Sequence, residues 1–311
     1  MIPLNYLRKA TEELRRDWIP AIKSAAPADA ETCELVLQVA AASPKFILPR
    51  GARILDGSLR GLPEELRLPF PQIVIEYQAA PGIGTAEKEH GSENCGSFPK
   101  RIVLAIERED VIYVYCLAQT SDERGEFWLM LPYFAGVFRS ATARAKKFST
   151  IENLPAIEGV ATFVRPTGTL AVTQKGPGWE RIAYLDLLDE TNAVLNLIEA
   201  LACVNVTHEA MPTRKANKSA SRRGALPFDE YRVLVVNGGG RGRAAIDSAG
   251  GNRSPREHLR RGHIRRLQDG RRVWVNSTVV NSGVGGKIIT SYDIRERAPR
   301  MASASANLVQ A

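Results

Sequence analysis

Cysteine is scarce in this chain. Its 311 residues include four, Cys33, Cys95, Cys116 and Cys203, widely separated and with no C-x-x-C pair. That spacing excludes a zinc ribbon and a thioredoxin-like motif. A disulfide framework does not suit a chain of this size without a secretory leader, and the opening MIPLNYLRKATEELRRDW has no long apolar core after its charges. Cys116 and Cys203 sit in apolar runs and read as buried free thiols. Long apolar stretches are lacking too: none approaches the roughly 18 residues that cross a bilayer. The expectation is a cytoplasmic protein with no membrane partner.

Catalytic signatures are equally thin. No Gly-Lys-Ser/Thr ending marks a phosphate loop. Gly240-x-Gly242-x-x-Ala245 fits a dinucleotide fingerprint only loosely, with no helix after it and no βαβ unit. A Ser/His/Asp set cannot be inferred from sequence spacing alone among the four histidines. His258 and His263 are five apart and flanked by arginines, which disfavours a bound metal; His208 stands alone. The polar loop 85–97 gathers Glu87, Glu89, His90, Glu93 and Cys95, a set from which a Cys/His nucleophile or a Glu/His metal site could be built and on which an enzyme reading would rest, but nothing in its pattern holds them to one side. The chain therefore reads as a binding protein rather than an enzyme, with no cofactor and no metal.

Acidic residues are lacking in one place. Residues 1–209 hold 22 Lys and Arg against 27 Asp and Glu, a balance of −5; residues 210–311 hold 20 against 7, a balance of +13. Such asymmetry points to an acidic partner for the last third.

What is present reads as an α+β protein, a mainly antiparallel sheet with flanking helices plus a basic C-terminal hairpin or meander. Leu4, Leu7, Leu14 and Trp18 predict a helix over 4–19. A second runs over 31–42 with Asp29 as its N-cap, and a third over 189–203 capped by Asp189. QIVIEY, RIVLAIE, VIYVYCL and EFWLMLPY are β-rich; the RED at 108–110 and SDERGE at 121–126 turn them into a meander. GVATFV, TLAVT and EYRVLVVN add strands. The domain reading is a body over 1–209; a basic linker, strand and Gly-rich loop over 210–256; a basic meander over 257–297; and a disordered tail over 298–311. MPTRKANKSASRRGALP (211–227) reads as linker or extended arm.

The sharpest feature is SPREHLRRGHIRRLQDGRRVWVNSTVV (254–280), with seven arginines in 27 residues. Asp269-Gly270 reads as a two-residue type I′ turn. That register sets Leu267 opposite Arg272, Arg266 opposite Val273, Arg265 opposite Trp274 and Ile264 opposite Val275. One face then collects Ile264, Val273, Val275 and Val279, with Arg260 and Arg266 nearer its ends. The other collects Arg261, His263, Arg265, Arg272 and Trp274. Arg260, Arg261, His263, Arg265, Arg266, Arg272 and Trp274 are the candidate contacts to nucleic acid or a partner protein. In one reading the arginines meet phosphates while Trp274 stacks on a base; in the other they meet an acidic protein surface, or are a solvated face.

The same stretch, followed by GGKIITSYDI and preceded by LIEALACVNV and FDEYRVLVV, resembles the C-terminal segment of uncharacterised phage and prophage proteins that share an HxRRGHxRRL…G…WV…VV pattern. The resemblance covers about 190–294. It implies an accessory phage protein in the cytoplasm of a bacterial cell, acting on a host factor or defence system and occupying a host protein, with nucleic acid as the alternative target. ELRLPF (65–70) loosely resembles the peptide that docks on bacterial sliding clamps, with Glu65 in place of the usual Gln.

Overall fold

The computed structural model describes residues 4–52, 54, 62–79, 100–122, 125–145, 162–167, 179–211, 213–224, 227–236, 258–260, 263–275, 278–280 and 295–296. These form an α+β protein built on one ten-stranded sheet. The polypeptide opens with α1 (Tyr6–Glu13), a π turn at Leu14–Trp18 and α2 (Ile19–Lys23). The π turn precedes Pro20, which has no N–H to give and would crowd the carbonyl four residues back. α3 (Pro27–Ala42) follows, with Pro27 in its first turn. Asp29 is thus a buried first-turn residue, two places inside the helix rather than its cap.

The strands are β1 (Lys45–Ile47), β2 (Gln72–Gln78), β3 (Lys100–Arg108), β4 (Val111–Asp122), β5 (Gly125–Met130), β6 (Tyr133–Phe138) and β7 (Thr162–Pro166). After α4 (Ala141–Ala145), α5 (Trp179–Asp186) and α6 (Leu188–Leu201) come β8 (Val206–Ala210), α7 (Arg214–Arg222) and β9 (Tyr231–Val236). The short strands β10 (His258–Arg260), β11 (His263–Arg266), β12 (Arg272–Val275), β13 (Thr278–Val280) and β14 (Arg295–Glu296) complete the order.

The sheet runs β14-β9-β1-β2-β3-β4-β6-β7, with β5 also on β4 and β8 also on β9. From β2 to β7 every pairing is antiparallel, the expected meander; β1 lies parallel to both β2 and β9. The expected strand 126–133 is interrupted: Leu131 and Pro132 separate β5 from β6, and β4 is long enough to pair with both. β8 and β9 belong to this sheet, so residues 206–236 are woven into the body.

Alternation along the strands makes two cores. Val74, Ile102, Leu104, Leu117 and Met130 pack under α1 and α3 with Leu7, Leu14, Cys33 and Leu37. Ile73, Ile75, Val103, Ala105, Val114 and Cys116 face the opposite way and meet α6 through Val194, Leu197 and Ile198. ELRLPF belongs to this second core: Leu66 and Leu68 are buried and Glu65 bridges to Ser140. It does not stand free as a docking peptide. No helix among the described residues is long and apolar enough to cross a membrane.

One buried carboxylate fastens α1. Asn5 makes no side-chain cap. Instead Glu76, fully buried on β2, accepts from the backbone N–H groups of Tyr6 and Leu7, both at 2.9 Å. The Tyr231 hydroxyl donates to the same carboxylate at 3.0 Å and accepts from the Asn5 N–H at 2.8 Å. Burial raises the Glu76 carboxyl above its ordinary pKa, against the pull of these donors. Glu76→Gln keeps one oxygen acceptor and turns an NH2 toward donors. It should cost about 1–3 kcal/mol, read as a lowered urea midpoint with unchanged slope.

Candidate functional site

The basic hairpin exists, in a different register. Backbone pairs His263–Val275, Ile264–Trp274, Arg265–Val273 and Arg266–Arg272 define β11–β12, and β10–β13 continues the same register through His258–Val280 and Arg260–Thr278. The loop holds three residues, because Leu267 and Arg271 are the last hydrogen-bonded pair: Leu267 N–H donates to the Arg271 carbonyl at 2.8 Å. Gly270 N–H donates to the Leu267 carbonyl at 3.0 Å. A type I′ turn needs positive φ at both Asp269 and Gly270. Only Gly270 has it, at 81°. Asp269 does not, and its side chain accepts from the Arg271 N–H at 3.0 Å.

That one-residue slip exchanges the faces of β12 relative to β11. Trp274 now lies across from Ile264 rather than Arg265, and it points inward. It is 6% exposed and part of the core beneath α6, where Ile264 packs with it. Trp274 is therefore not an exposed stacking platform. Arg272 also leaves the expected outward set. It donates to the Leu62 carbonyl at 3.1 Å, and its charge acts on the buried Glu199.

The ribbon is docked, not extended. Asn205 holds both backbone groups of Trp274, donating to its carbonyl at 2.8 Å and accepting from its N–H at 2.7 Å. Val204 N–H donates to the Arg272 carbonyl at 2.9 Å. What remains exposed is Arg265, Arg266 and Arg271. Arg271 pairs with Asp269 at 2.7 Å. Arg265 and Arg266 have no acidic partner among the described residues. Arg271, which the two-residue turn reading left out of the candidate set, directly follows the turn glycine. Arg260 and His263 lie on β10 and β11, and Arg261 lies outside the described residues.

A second basic element stands where a linker was expected. Residues 214–222 are the helix α7, with Lys215, Lys218, Arg222 and Arg223 exposed and Ala220 buried. Asn217 clamps the helix to the returning chain, donating to the Phe228 carbonyl at 3.2 Å and accepting from its N–H at 2.5 Å.

Under α6 lies a buried polar cluster that sequence patterning did not reveal. Glu190, completely buried, is ion-paired with Arg101 Nε at 3.0 Å and accepts from the Tyr77 hydroxyl at 3.4 Å, with Cys116 Sγ at 3.7 Å. Its other oxygen has no hydrogen-bond partner. Tyr133 and Asp186 are hydrogen-bonded alongside. Burial pushes the Glu190 carboxyl up to about 7, and Arg101 opposes that rise. Glu199, near Arg272, is likewise pushed up to about 7 by burial. The thiols are pushed away from reactivity: burial raises Cys33 to about 12 and Cys203 to about 11, and moves Cys116 upward as well. All three are free and buried, as expected for Cys116 and Cys203.

His208 borders an open cavity of about 530 Å³ between α6, β8 and residues 63–69. Its polar groups are engaged with one another. Arg67 pairs with Glu65 and Glu107, and His208 Nδ1 lies 3.2 Å from Arg232, whose guanidinium sits over Phe70. No group of three His, Cys, Asp or Glu side chains arranged to hold a metal occurs among the described residues. The loop with Glu87, Glu89, His90, Glu93 and Cys95 lies outside them, as do the Gly-rich 238–254, TLAVT and KIITSYDI.

No protein-family model, curated protein or solved structure matches the chain.

Proposed function

We propose that the protein is a phage-encoded accessory factor that holds nucleic acid by its phosphate backbone, using the exposed arginines of the docked ribbon. One observation carries this reading: Arg265, Arg266 and Arg271 are exposed on a ribbon whose tryptophan faces the core. A specific protein interface is centred on aromatic or aliphatic anchors that fill pockets on the partner. Among the described residues the large exposed hydrophobics are Leu35 and Val204, and of these only Val204, bonded through its N–H to the Arg272 carbonyl, stands beside the ribbon. Arginines with one small aliphatic neighbour and no exposed aromatic suit a polyanion, whose binding rests on counterion release. With Trp274 turned inward, base stacking drops out, and contact is to phosphates without a sequence preference. The excess of +13 in residues 210–311 supplies the field.

The test is fluorescence anisotropy with a short DNA duplex across salt. The logarithm of affinity should fall linearly with log salt. The combined Arg265→Ala, Arg266→Ala, Arg271→Ala protein should lose about 2–3 from the slope magnitude, roughly 0.9 per phosphate contact. Its stability should stay within about 0.5 kcal/mol of the parent, as for exposed positions. An unchanged slope would remove the ribbon from the interface. Stoichiometric capture of a host protein from nuclease-treated lysate, lost in the same triple variant, would replace nucleic acid with an acidic protein surface.

A further inference from the structure

Helix α7 is built against its own local stability. Two cations and no acid occupy its first turn, where the helix dipole favours negative charge. Lys215 and Lys218 are three apart, and Lys218 and Arg222 four apart, so like charges meet along one stripe. The cap residue Thr213 makes no side-chain cap to the first turn. Nine residues of this composition would not hold a helix in isolation. The fold holds it from outside, by burying Ala220 and by the two-way Asn217–Phe228 clamp. α6 follows the ordinary rule, with Asp189 and Glu190 in its first turn. Departures from local consistency that the fold maintains by other means are expected at functional or strained sites.

We infer that α7 is a second contact to the phosphate backbone of duplex nucleic acid, made by Lys215, Lys218 and Arg222. The inference rests on the reading that this protein binds nucleic acid, and adds a surface separate from the ribbon. Positions 215, 218 and 222 follow the i, i+3, i+7 rule and form one stripe about 10 Å long at 1.5 Å per residue. Ala216 and Ala220 lie toward the opposite side, and Ala220 faces the body. The ribbon meets the chain just before Val206, whereas α7 follows Ala210. The two basic elements thus adjoin opposite ends of β8, about 14 Å apart along that strand at roughly 3.4 Å per residue. Lysines and an arginine along an exposed stripe suit phosphates, and without an aromatic among them the stripe has nothing to stack on a base.

The experiment compares the full-length parent, a Lys215→Gln, Lys218→Gln, Arg222→Gln triple variant, and the ribbon triple variant on one DNA duplex. Each is measured for salt slope and for melting temperature without DNA. For the α7 variant, the slope should be shallower by about 2–3 and affinity at low salt should fall at least tenfold. Its melting temperature should hold or rise, because the repulsion along the stripe is gone. A normal slope in the α7 variant, with a reduced one in the ribbon variant, overturns this inference and leaves the ribbon reading standing. A reduced slope only in the α7 variant does the reverse. A lower melting temperature together with weak binding makes these side chains structural and also overturns it.

Discussion

Trp274→Ala is expected to lower stability by about 3–5 kcal/mol, the range for truncating a buried tryptophan. Trp274 is the ribbon's main anchor in the core under α6, and Ile264 packs beside it. Removing the indole leaves a cavity lined by residues of the ribbon and of the sheet, and neither can close it without moving. The Asn205 bonds survive the substitution, because they go to the backbone of residue 274. The ribbon should therefore stay tethered but open more often. Two measurements check this: the urea midpoint, and the rate of tryptic cleavage at Arg265, Arg266 and Arg271. Both should change together. A normal midpoint with fast cleavage would mean that the ribbon opens as a separate unit, without the rest of the core.

Arg101→Met should be comparably severe, with a dependence on pH that identifies its cause. Removing one partner of a buried ion pair costs about 3–5 kcal/mol, because the remaining charge is uncompensated. Glu190 already holds its proton up to about pH 7, above the ordinary 4.5 for a glutamate. Between those values the folded protein binds a proton that the unfolded chain releases. Stability through Glu190 therefore falls as pH rises across this window, and Glu199 acts in the same direction. Without Arg101 the carboxyl rises further, so the loss continues above pH 7. The groups facing Glu190 are Tyr77 on β2, Arg101 on β3, Cys116 on β4, Tyr133 on β6 and Asp186 on α5, with Asp189 beside it on α6. Urea unfolding at about pH 5.5 and about pH 8 should show a small gap between parent and variant at the lower pH and a large one at the higher. A gap of equal size at both would show that lost packing, not the stranded carboxylate, is responsible.

Much of the sheet was legible in the sequence, and the reasons are local. The 101–117 hairpin follows from two β-branched runs around RED, and the β2 to β4 order from their alternation. β1 was missed because three residues carry no period. α7 was missed because small and basic residues resemble a linker, and its helicity comes from Ala220 and Asn217 meeting distant chain. The ribbon was legible as a hairpin, but Asp-Gly serves either a two- or a three-residue loop. Choosing the shorter one turned Trp274 outward. The Glu190 cluster could not be found by motif, since Tyr77, Arg101, Cys116 and Glu190 come from four elements. Its one trace is an arginine at the start of RIVLAIE, on the side that Val103 and Ala105 bury.

The Glu76 cap has a consequence for the order of events at the ribosome. The first helix of the chain is finished by Tyr231, which is made 155 residues after Glu76. An eight-residue helix has little stability alone. At about 5–20 residues per second, some 8–30 s separate the emergence of the two partners. The helix Tyr6–Glu13 can take two of its bonds from Glu76 early, but the Asn5 N–H and the Glu76 carboxylate gain their last partner only once Tyr231 is made.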